Sequence, residues 1–555
     1  MRLRLASRSI FCPRFARGHA MRRGTGTLVT LAGLASLAIH LYAQPGSSSS
    51  STQVTQTSYL KASNPDASDH FGCGGVLQGH TGQGVALSAD GMTLAVGAPH
   101  ESGGAPGING NQRDNSLFDT GAVYVFTRKG EHWVQQAYVK ASNPHSSAEF
   151  GHAVALSADG NTMVVSAHWE PSNAKGINGN QKDASIPQAG AVYVFTRRGS
   201  TWTQQAYIKA SNTGEAGTAD AFGDGDQFGF SIALNADGNT LAVGAITEDS
   251  AATGINGNEA DNSKASAGAV YVFTRAGTTW SQEAYVKPSD IDAGDMFGYA
   301  VALTADGHML AVGSFDEDGS SRTINGPADN KSNGSGAAYV FTRSGTTWSQ
   351  QAYIKPSNGE PQDSFGVHVA VSDDGSTLLV GSLDEDCTAT GVNPPGCDND
   401  QKDDVSVGAA YVFVRSGTMW LQQAFLKASN SGYNDWFGSR LALSGDGNVA
   451  VIGASLEDSN ATGINGNQKD ESDTEAGAAY LFTRTGTTWQ QQAYIKGSNT
   501  EAYDEFGSSL AIDRSGRTLV ISAKSEDGGG RGEGGKQTDN SVDEAGAVYV
   551  FRVAR

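Results

Sequence analysis

The stretch GAVYVFTRRGSTWTQQAYIK, residues 190–209, decides the fold because it recurs in register along the chain. It predicts two short strands, Ala191 to Arg197 and Trp202 to Lys209, joined by a tight turn at Gly199. Its opening Gly-Ala-hydrophobic-Tyr-hydrophobic-Phe pattern begins at Gly121, Gly190, Gly268, Gly336, Gly408, Gly477 and Gly546. The chain of 555 residues therefore contains seven copies of one unit of roughly seventy residues.

Each copy contains an earlier pair of strands as well. In the second copy, Gly151 to Ser157 and Thr162 to Ala167 are two apolar runs separated by Asp159 and Gly160. An Asp-Gly pair between apolar runs indicates a hairpin, because glycine accepts the positive φ that such turns require. A Phe-Gly pair opens the copies at Phe71, Phe150, Phe228, Phe297, Phe365, Phe437 and Phe506. Four antiparallel strands per copy are typical of a propeller blade.

The two ends of the repeat region complement each other. The fourth strand of the unit occurs at Trp133, Trp202, Trp280, Trp348, Trp420 and Trp489. The seventh copy lacks this strand, whereas Tyr59 to Asn64, ahead of the first copy, matches Tyr138 to Asn143. We therefore predict an all-β, seven-bladed β-propeller over residues 58–555, closed by an amino-terminal strand that completes the last blade. Such closure removes the open sheet edges that invite aggregation.

The segment ahead of the repeats has the composition of an export signal. Residues 1–43 contain seven Arg and no Lys, Asp or Glu, and the apolar run from Leu28 to Tyr42 is followed by the small residue Ala43. This pattern predicts a secretory signal peptide, with translation starting at Met1 or Met21. Residues 44–57 are rich in Ser and predict a flexible linker. We expect a secreted or cell-surface protein with no membrane span in the mature chain.

The charge and the cysteine content limit the class of binding partner and the cellular compartment that we expect. The 58 acidic residues outnumber the 38 basic ones, for a net charge of −20, which argues against a nucleic-acid partner. Cys387 and Cys397 lie in one loop, and an oxidising compartment would favour a disulfide between them. Cys73 stands apart in the sequence and is expected to be a small buried residue.

The order of Phe-Gly, an apolar strand and then Gly97-Ala98-Pro99 resembles the FG-GAP repeats of integrin α-subunit propellers and their bacterial relatives. The resemblance covers residues 58–555. It implies a seven-bladed propeller and an extracellular adhesion or ligand-binding role. Members of that family often carry a calcium loop between the first two strands. Here the corresponding turn, Ser157 to Thr162, offers too few oxygen ligands for calcium, so that site does not transfer.

Two other acidic positions recur, one two residues before Phe-Gly and one after the second strand. The pairs are Asp69 with Glu101, Asp226 with Glu248, Asp295 with Glu317, Asp363 with Glu385, Asp435 with Glu457, and Asp504 with Glu526. In the second copy the first acid is shifted by one residue, to Glu149, and the second is Glu170. The start of the first strand pairs with the end of the second, so the two acids of a copy should be neighbours. We predict that their loops form one acidic face of the disc, the loop face.

Two hypotheses account for these acids. In the first they form a ring of Ca²⁺ sites, one per blade, because carboxylate and carbonyl oxygens are the ligands that calcium prefers. In the second they accept hydrogen bonds from loop amides or pair with lysines at a neighbouring strand end. Those lysines are Lys61, Lys140, Lys209, Lys287, Lys355, Lys427 and Lys496.

Aromatic residues fall into two groups. Trp and Tyr at fixed places in every copy predict packing between blades. Trp169 and Trp436 lie outside the repeat pattern, in loops of the acidic face. They are candidates for ligand contact, with local packing as the alternative.

Catalytic signatures are absent from the sequence. It contains no zinc-binding His-Glu-x-x-His, no nucleophile elbow and no phosphate-binding Gly-rich loop followed by Lys. We interpret His70, His80, His100 and His168 as scattered surface residues, because they lack metal-ligand spacing. Paired carboxylates could cleave glycosides, but acids that recur in every copy favour a structural or multivalent role.

These observations favour a non-catalytic binding or adhesion module that recognises an extracellular protein or glycan through the loop face, assisted by calcium. A secreted carbohydrate-active hydrolase or lyase that uses the same carboxylates is the alternative from another class. A purely structural surface component is the third hypothesis.

Overall fold

Short β-branched runs separated by glycine turns make four strands in each sequence copy. The computed structural model describes residues 52–74, 82–220, 223–397 and 405–554. The predicted signal peptide, residues 1–43, lies outside the described residues, as does the Ser run that ends at Ser51. The described strands form seven antiparallel blade sheets, one for each copy, and one further two-stranded sheet. The prediction of an all-β, seven-bladed propeller is confirmed.

Within blades 1 to 6 the strands lie in sequence order from the axis of the ring outwards. Blade 1 contains β2 (Val85–Leu87), β3 (Thr93–Ala98), β4 (Ala122–Lys129) and β5 (His132–Val139). Blade 2 contains β6 (Val154–Leu156), β7 (Thr162–Ala167), β8 (Ala191–Arg198) and β9 (Thr201–Ile208), and a small hairpin of β10 (Glu215–Asp220) and β11 (Gly223–Gly225) follows it. Blade 3 contains β12 (Phe228–Leu234), β13 (Thr240–Ala245), β14 (Ala269–Ala276) and β15 (Thr279–Val286).

The next three blades repeat this arrangement. Blade 4 contains β16 (Ala300–Leu303), β17 (Met309–Ser314), β18 (Ala337–Ser344) and β19 (Thr347–Ile354). Blade 5 contains β20 (Phe365–Val371), β21 (Thr377–Ser382), β22 (Ala409–Ser416) and β23 (Met419–Leu426). Blade 6 contains β24 (Phe437–Leu443), β25 (Val449–Ala454), β26 (Ala478–Thr485) and β27 (Thr488–Ile495).

Blade 7 joins the two ends of the repeat region. It contains β28 (Phe506–Ile512), β29 (Thr518–Ala523), β31 (Ala547–Ala554) and β1 (Gln53–Lys61), with the short β30 (Gly532–Glu533) beyond β1. β1 lies antiparallel to β31 and sets Tyr59 opposite Tyr549. It begins at Gln53, inside the segment expected to be a linker, because Val54 pairs with Val553 and both side chains are buried.

The core lies between blades. Seven hydrophobic clusters of the described residues each combine two consecutive blades, the last one joining blade 7 to blade 1. The recurring Trp residues seal these contacts. Trp202 of blade 2, for example, is buried and donates its Nε1–H to Gln136 of blade 1 at 2.9 Å. The prediction that the recurring aromatic residues pack between blades is confirmed.

The inner strands of all seven blades surround a cavity of about 230 Å³ on the axis of the ring. Its walls include the last residues of those strands, such as Leu87 and Leu443, so it lies on the side of the Asp-Gly turns. Towards the other side, an apolar cluster of blades 3 to 6 packs around the axis. Its members are Phe230, Ile246, Met296, Tyr299, Val367 and Leu383.

Cys387 and Cys397 form a disulfide, with their Cα atoms 5.3 Å apart, as the sequence predicted. Cys73 is buried, which agrees with the expectation for it. Among the described residues, no helix has the length and apolarity needed to cross a membrane.

Candidate functional site

The recurring Glu is buried in every blade and forms an ion pair with the Lys that follows the outer strand of the same blade. The pairs are Glu101 with Lys140, Glu170 with Lys209, Glu248 with Lys287, Glu317 with Lys355, Glu385 with Lys427, Glu457 with Lys496, and Glu526 with Lys61. Their Nζ–Oε2 distances lie between 2.5 and 2.9 Å. The lysine contact that the second hypothesis proposed is therefore present in all seven blades.

Other donors complete the surroundings of each carboxylate. In blade 1 the Tyr138 hydroxyl donates to Glu101 Oε1 at 2.7 Å, and the Gly103 N–H donates to Oε2 at 3.0 Å. The Asn64 amide of blade 7 donates to Oε1 at 3.3 Å. Burial lowers the pKa of Lys140, and Glu101 opposes that shift. A buried charge with this many partners is a structural element that fixes the loops to the strand ends.

The recurring Asp accepts a hydrogen bond from the backbone three residues earlier in five of the blades. In blade 4 the Asp292 N–H donates to Asp295 at 2.7 Å. Burial raises the pKa of Asp295 to about 8, and the nearby charge of Glu317 adds to the shift. The equivalent carboxylates are those of Asp69, Asp363, Asp435 and Asp504. These acids close the turn that leads into the first strand, as the second hypothesis expected for loop amides.

Asp226 in blade 3 is buried as well, and the backbone of Gly214 provides its hydrogen bond. Burial raises the pKa of Asp226 above its ordinary value, with Glu248 as the next cause. The structure thus places the predicted Asp226 and Glu248 close enough for their charges to interact. The turn that holds Asp226 differs from that of the other blades, because the hydrogen bond comes from Gly214.

Blade 2 departs from the pattern. Ala148 occupies the place of the recurring Asp, because its N–H donates to His145 O as the Asp295 N–H donates to Asp292 O. Glu149 occupies the next position, with a φ of +56°, where blade 4 has Met296. Glu149 therefore lies one residue after the place of the recurring Asp, as the sequence indicated, and a different residue type occupies the turn position itself.

The histidines also differ from expectation. His70 and His168 are buried, and His100 is mostly buried, so their interpretation as scattered surface residues is wrong. His80 lies outside the described residues. The structure brings His100 and His168 close to Glu149 at the axial end of the loop face.

Both non-repeating tryptophans lie at this axial end as well. Trp436 is half-buried and packs against the apolar cluster around Phe230 and Tyr299. Trp169 is half-buried with its ring 5.1 Å from that of His168. Ligand contact at these two residues stays a prediction, and their rings already make local packing contacts.

Among the described residues, three aromatic side chains that the sequence analysis did not single out are largely exposed on the loop face. Phe118, Tyr433 and Tyr503 expose 65, 65 and 59% of their surface. The signal for the tyrosines was present in the sequence, since each lies one or two residues before the recurring Asp, where the other copies have no aromatic residue. Exposed aromatic side chains of this kind are typical of binding surfaces.

A family model of the FG-GAP repeat matches residues 133–195, 280–341, 348–413, 420–482 and 489–551. Each match begins at the recurring Trp of one blade and ends in the third strand of the next. No curated protein matches the chain.

Solved structures with a similar course of the chain include the β-propeller domain of Cps50 (Swd1) from Myceliophteria thermophila. It covers 86% of this chain and 98% of its own, at 8% identity and a TM-score of 0.42. A candidate 6-phosphogluconolactonase from Bacteroides uniformis covers 78% of this chain and 88% of its own, at 11% identity and a TM-score of 0.39.

Proposed function

The chain belongs to the FG-GAP repeat family, and from this premise we propose that it is a secreted, non-catalytic binding or adhesion module for an extracellular protein or glycan. The observation that carries the proposal is the pair of exposed tyrosines, Tyr433 and Tyr503, on loops of adjacent blades of the loop face. Buried Glu–Lys pairs anchor these loops, so the rings are held in place before any partner binds. Such preorganisation lowers the entropy cost of binding.

The chemistry of the surface defines the class of partner. A tyrosine offers a flat apolar ring with a polar hydroxyl, which suits the face of a sugar or a protein side chain. The same loop face carries the exposed carboxylates Glu471 and Glu501, and the net charge of the chain is −20. We expect a partner with cationic groups, such as a Lys- and Arg-rich protein surface or an amino sugar.

The carboxylates that a carbohydrate-active hydrolase or lyase would use are already engaged. Glu317, for example, contacts Lys355 at 2.9 Å and accepts the Tyr353 hydroxyl at 2.8 Å, and it is buried. A catalytic carboxylate must reach the scissile bond of its substrate. This arrangement supports a binding role over hydrolysis.

Calcium assistance stays a prediction, and the contacts define its test. A calcium ion between Asp295 and Glu317 would have to displace the ammonium of Lys355. If calcium binds the folded chain, thermal melting in calcium must give a higher Tm than melting in chelator. The rise must also be smaller in the Asp295→Asn variant, which removes a ligand from one blade of the ring. Equal Tm values in calcium and in chelator would contradict the calcium hypothesis, and the acids would then serve only to support the loops.

Secretion stays a prediction as well. The disulfide between Cys387 and Cys397 fits an oxidising compartment. Amino-terminal sequencing of protein recovered from the medium of expressing cells tests it, and cleavage after Ala43 is the expected result. Protein retained inside the cells with an intact amino terminus would contradict it.

Binding of the full chain to a glycan array and to an array of Lys- and Arg-containing peptides tests the proposed function. We expect saturable binding that weakens at least about tenfold in the Tyr433→Ser/Tyr503→Ser double variant. The matched control is Met419→Ser/Leu421→Ser, which removes equally exposed apolar side chains from an outer strand and should bind like the parent chain. Turnover of a bound glycan would favour the enzyme instead, and no saturable binding on either array would favour a structural component.

A further inference from the structure

A compact cluster of metal-ligating side chains lies buried where blades 1 and 2 approach the axis. One ligand atom each from Glu149, His152 and His168 lie within 4.8 Å of one another. The Nδ1 atoms of His152 and His168 are both 3.9 Å from Glu149 Oε2. His100 of blade 1 approaches the other oxygen, with its Nε2 3.8 Å from Glu149 Oε1.

The nitrogens that face Glu149 have no other partner among the residues that the structure describes. Nδ1 of His152, Nδ1 of His168 and Nε2 of His100 are buried and make no hydrogen bond within that part of the chain. At 3.8 to 3.9 Å they are also too far from the carboxylate for a hydrogen bond to it. Buried polar atoms are nearly always satisfied, so three orphans around one carboxylate point to a missing common partner.

The proton position of His152 follows from its other nitrogen. Its Nε2 is 3.2 Å from the carbonyl oxygen of Phe230, which can only accept, so Nε2 carries the hydrogen. Nδ1 then presents a lone pair to the interior of the cluster. A backbone carbonyl that holds the far nitrogen of a histidine is the usual outer contact of a metal ligand.

Glu149 also lacks the cation that the other buried glutamates have. Among the described residues, the ion-pair partners of Glu149 are the three histidines, and no Lys or Arg lies within that distance. The cluster therefore presents lone pairs and a carboxylate to a region without a balancing positive charge.

We propose that Glu149, His152 and His168 bind one divalent transition-metal ion of the zinc class, with His100 positioned as a fourth ligand. Imidazole nitrogens with one carboxylate suit zinc, whereas calcium requires six to eight oxygens. Zinc–ligand bonds of about 2.1 Å place tetrahedral ligands about 3.4 Å apart. The distances of 3.8 to 3.9 Å between Glu149 and the three histidines need to shorten by about half an ångström to reach that geometry.

The surroundings indicate a structural metal. The rings of His152 and His168 are stacked with centroids 3.7 Å apart, and Phe230 and Trp169 pack against them. Such enclosure limits access for a substrate, which a catalytic metal would need at an open position. The ion would join blade 1 to blade 2 at the axis, through ligands from both.

Metal content of the full chain tests the proposal. The chain is stripped with chelator, loaded with Zn²⁺, dialysed and analysed by mass spectrometry of the metal. We expect one zinc per chain and a Tm above that of the stripped chain. Glu149→Gln and His168→Asn should each retain at least about tenfold less zinc after the same dialysis, since even outer contacts of a metal are worth tenfold or more. His308→Asn, which alters an exposed histidine on an Asp-Gly turn, is the control and should retain zinc like the parent.

A second measurement uses only the parent chain, so it does not depend on how the variants fold. Stripped protein is loaded with Co²⁺, and histidine–carboxylate coordination should produce visible absorption bands that Zn²⁺ abolishes at one equivalent. A parent chain that retains no zinc and shows no such bands overturns the proposal. Equal zinc in the parent, Glu149→Gln and His168→Asn chains would assign the metal to adventitious surface binding and overturn it as well.

Discussion

Glu149 and Glu170 lie in the same blade and are both buried, but their surroundings differ completely. Glu170 contacts Lys209 at 2.9 Å and accepts from the Ser172 N–H at 3.1 Å and the Asn143 amide at 2.8 Å. Glu149 faces three histidines, none within hydrogen-bonding distance. The first carboxylate has its cation within the blade. The second has no Lys or Arg partner in the described part of the chain, and in a repeated scaffold such a departure marks a site.

The lysine of a repeated pair should have the largest effect on stability. In Lys209→Met the Glu170 carboxylate stays buried without its cation, which costs about 3–5 kcal/mol in the free energy of unfolding. Denaturant unfolding of the parent and the variant measures the difference. The double variant Glu170→Gln/Lys209→Met removes both charges and should recover much of the loss.

The matched surface change is Lys331→Met, which removes a lysine that is 74% exposed and paired with Asp329. An exposed pair contributes at most about 1 kcal/mol, so this variant should unfold almost like the parent. Equal losses in Lys209→Met and Lys331→Met would contradict a structural role for the buried pairs.

Glu149→Gln should change stability in the opposite direction when metal is absent. The variant replaces an unbalanced buried carboxylate by a neutral amide, and we expect a gain of about 1–3 kcal/mol in chelator. Glu170→Gln, the matched variant in the same blade, should lose stability because it leaves Lys209 unpaired. Denaturant unfolding of the three chains at pH 8.5 compares them.

The gain from Glu149→Gln should depend on pH. The pKa of Glu149 is raised from an ordinary 4.5 to about 8 in the folded chain, so the folded state binds this proton more tightly than the unfolded state. Stability of the metal-free parent due to this group therefore falls as pH rises from about 4.5 to 8. The advantage of the variant should be small at pH 4.5 and grow up to pH 8. If the stability gain of the variant were the same at every pH, the pKa of Glu149 in the folded chain would not be raised, and this prediction would be wrong.

Much of this molecule could be predicted from repetition. Seven copies of Gly-Ala-hydrophobic-Tyr established the blades, and the match of Tyr59 to Tyr138 placed the closing strand. Lysines at the strand ends were enough to suggest the Glu–Lys contacts. A repeated pattern allows this prediction because equivalent residues lie in the same physical environment in all seven copies.

The histidine cluster could not be predicted in the same way. Its residues come from the start of one strand, the end of the next and a neighbouring blade, and only the convergence of blades at the axis brings them together. A weaker signal was present, because Ala148 replaces the recurring Asp just where Glu149 and His152 appear. A residue that departs from the repeat in one copy can be interpreted only when the fold shows which side chains from other strands and blades surround it.

A smaller exception lies where blade 3 meets blade 4. Asp290 of blade 3 occupies the position that is Asn64 in blade 7, where the asparagine donates to Glu101 of blade 1 and accepts the Tyr124 hydroxyl at 2.7 Å. The equivalent hydroxyl in blade 4, that of Tyr339, is buried and makes no hydrogen bond within the described residues. Burial and the charge of Glu317 raise the pKa of Asp290 to about 6. Blade 3 therefore has a second carboxylate where the other blades have an amide.

Asp290→Asn should restore the Asn–Tyr arrangement that five of the other blades share. The new amide can donate to Glu317 and accept from Tyr339, which we expect to stabilise the chain by about 1 kcal/mol at pH 7. The folded-state pKa is raised, so the parent loses stability as pH rises from about 3.8 to 6, and the variant should lack that loss. Thermal melting of both chains at pH 4 and pH 7 tests the sign. A variant that melts below the parent at pH 7 would show that the Asp290 carboxylate stabilises the folded chain, and it would contradict this prediction.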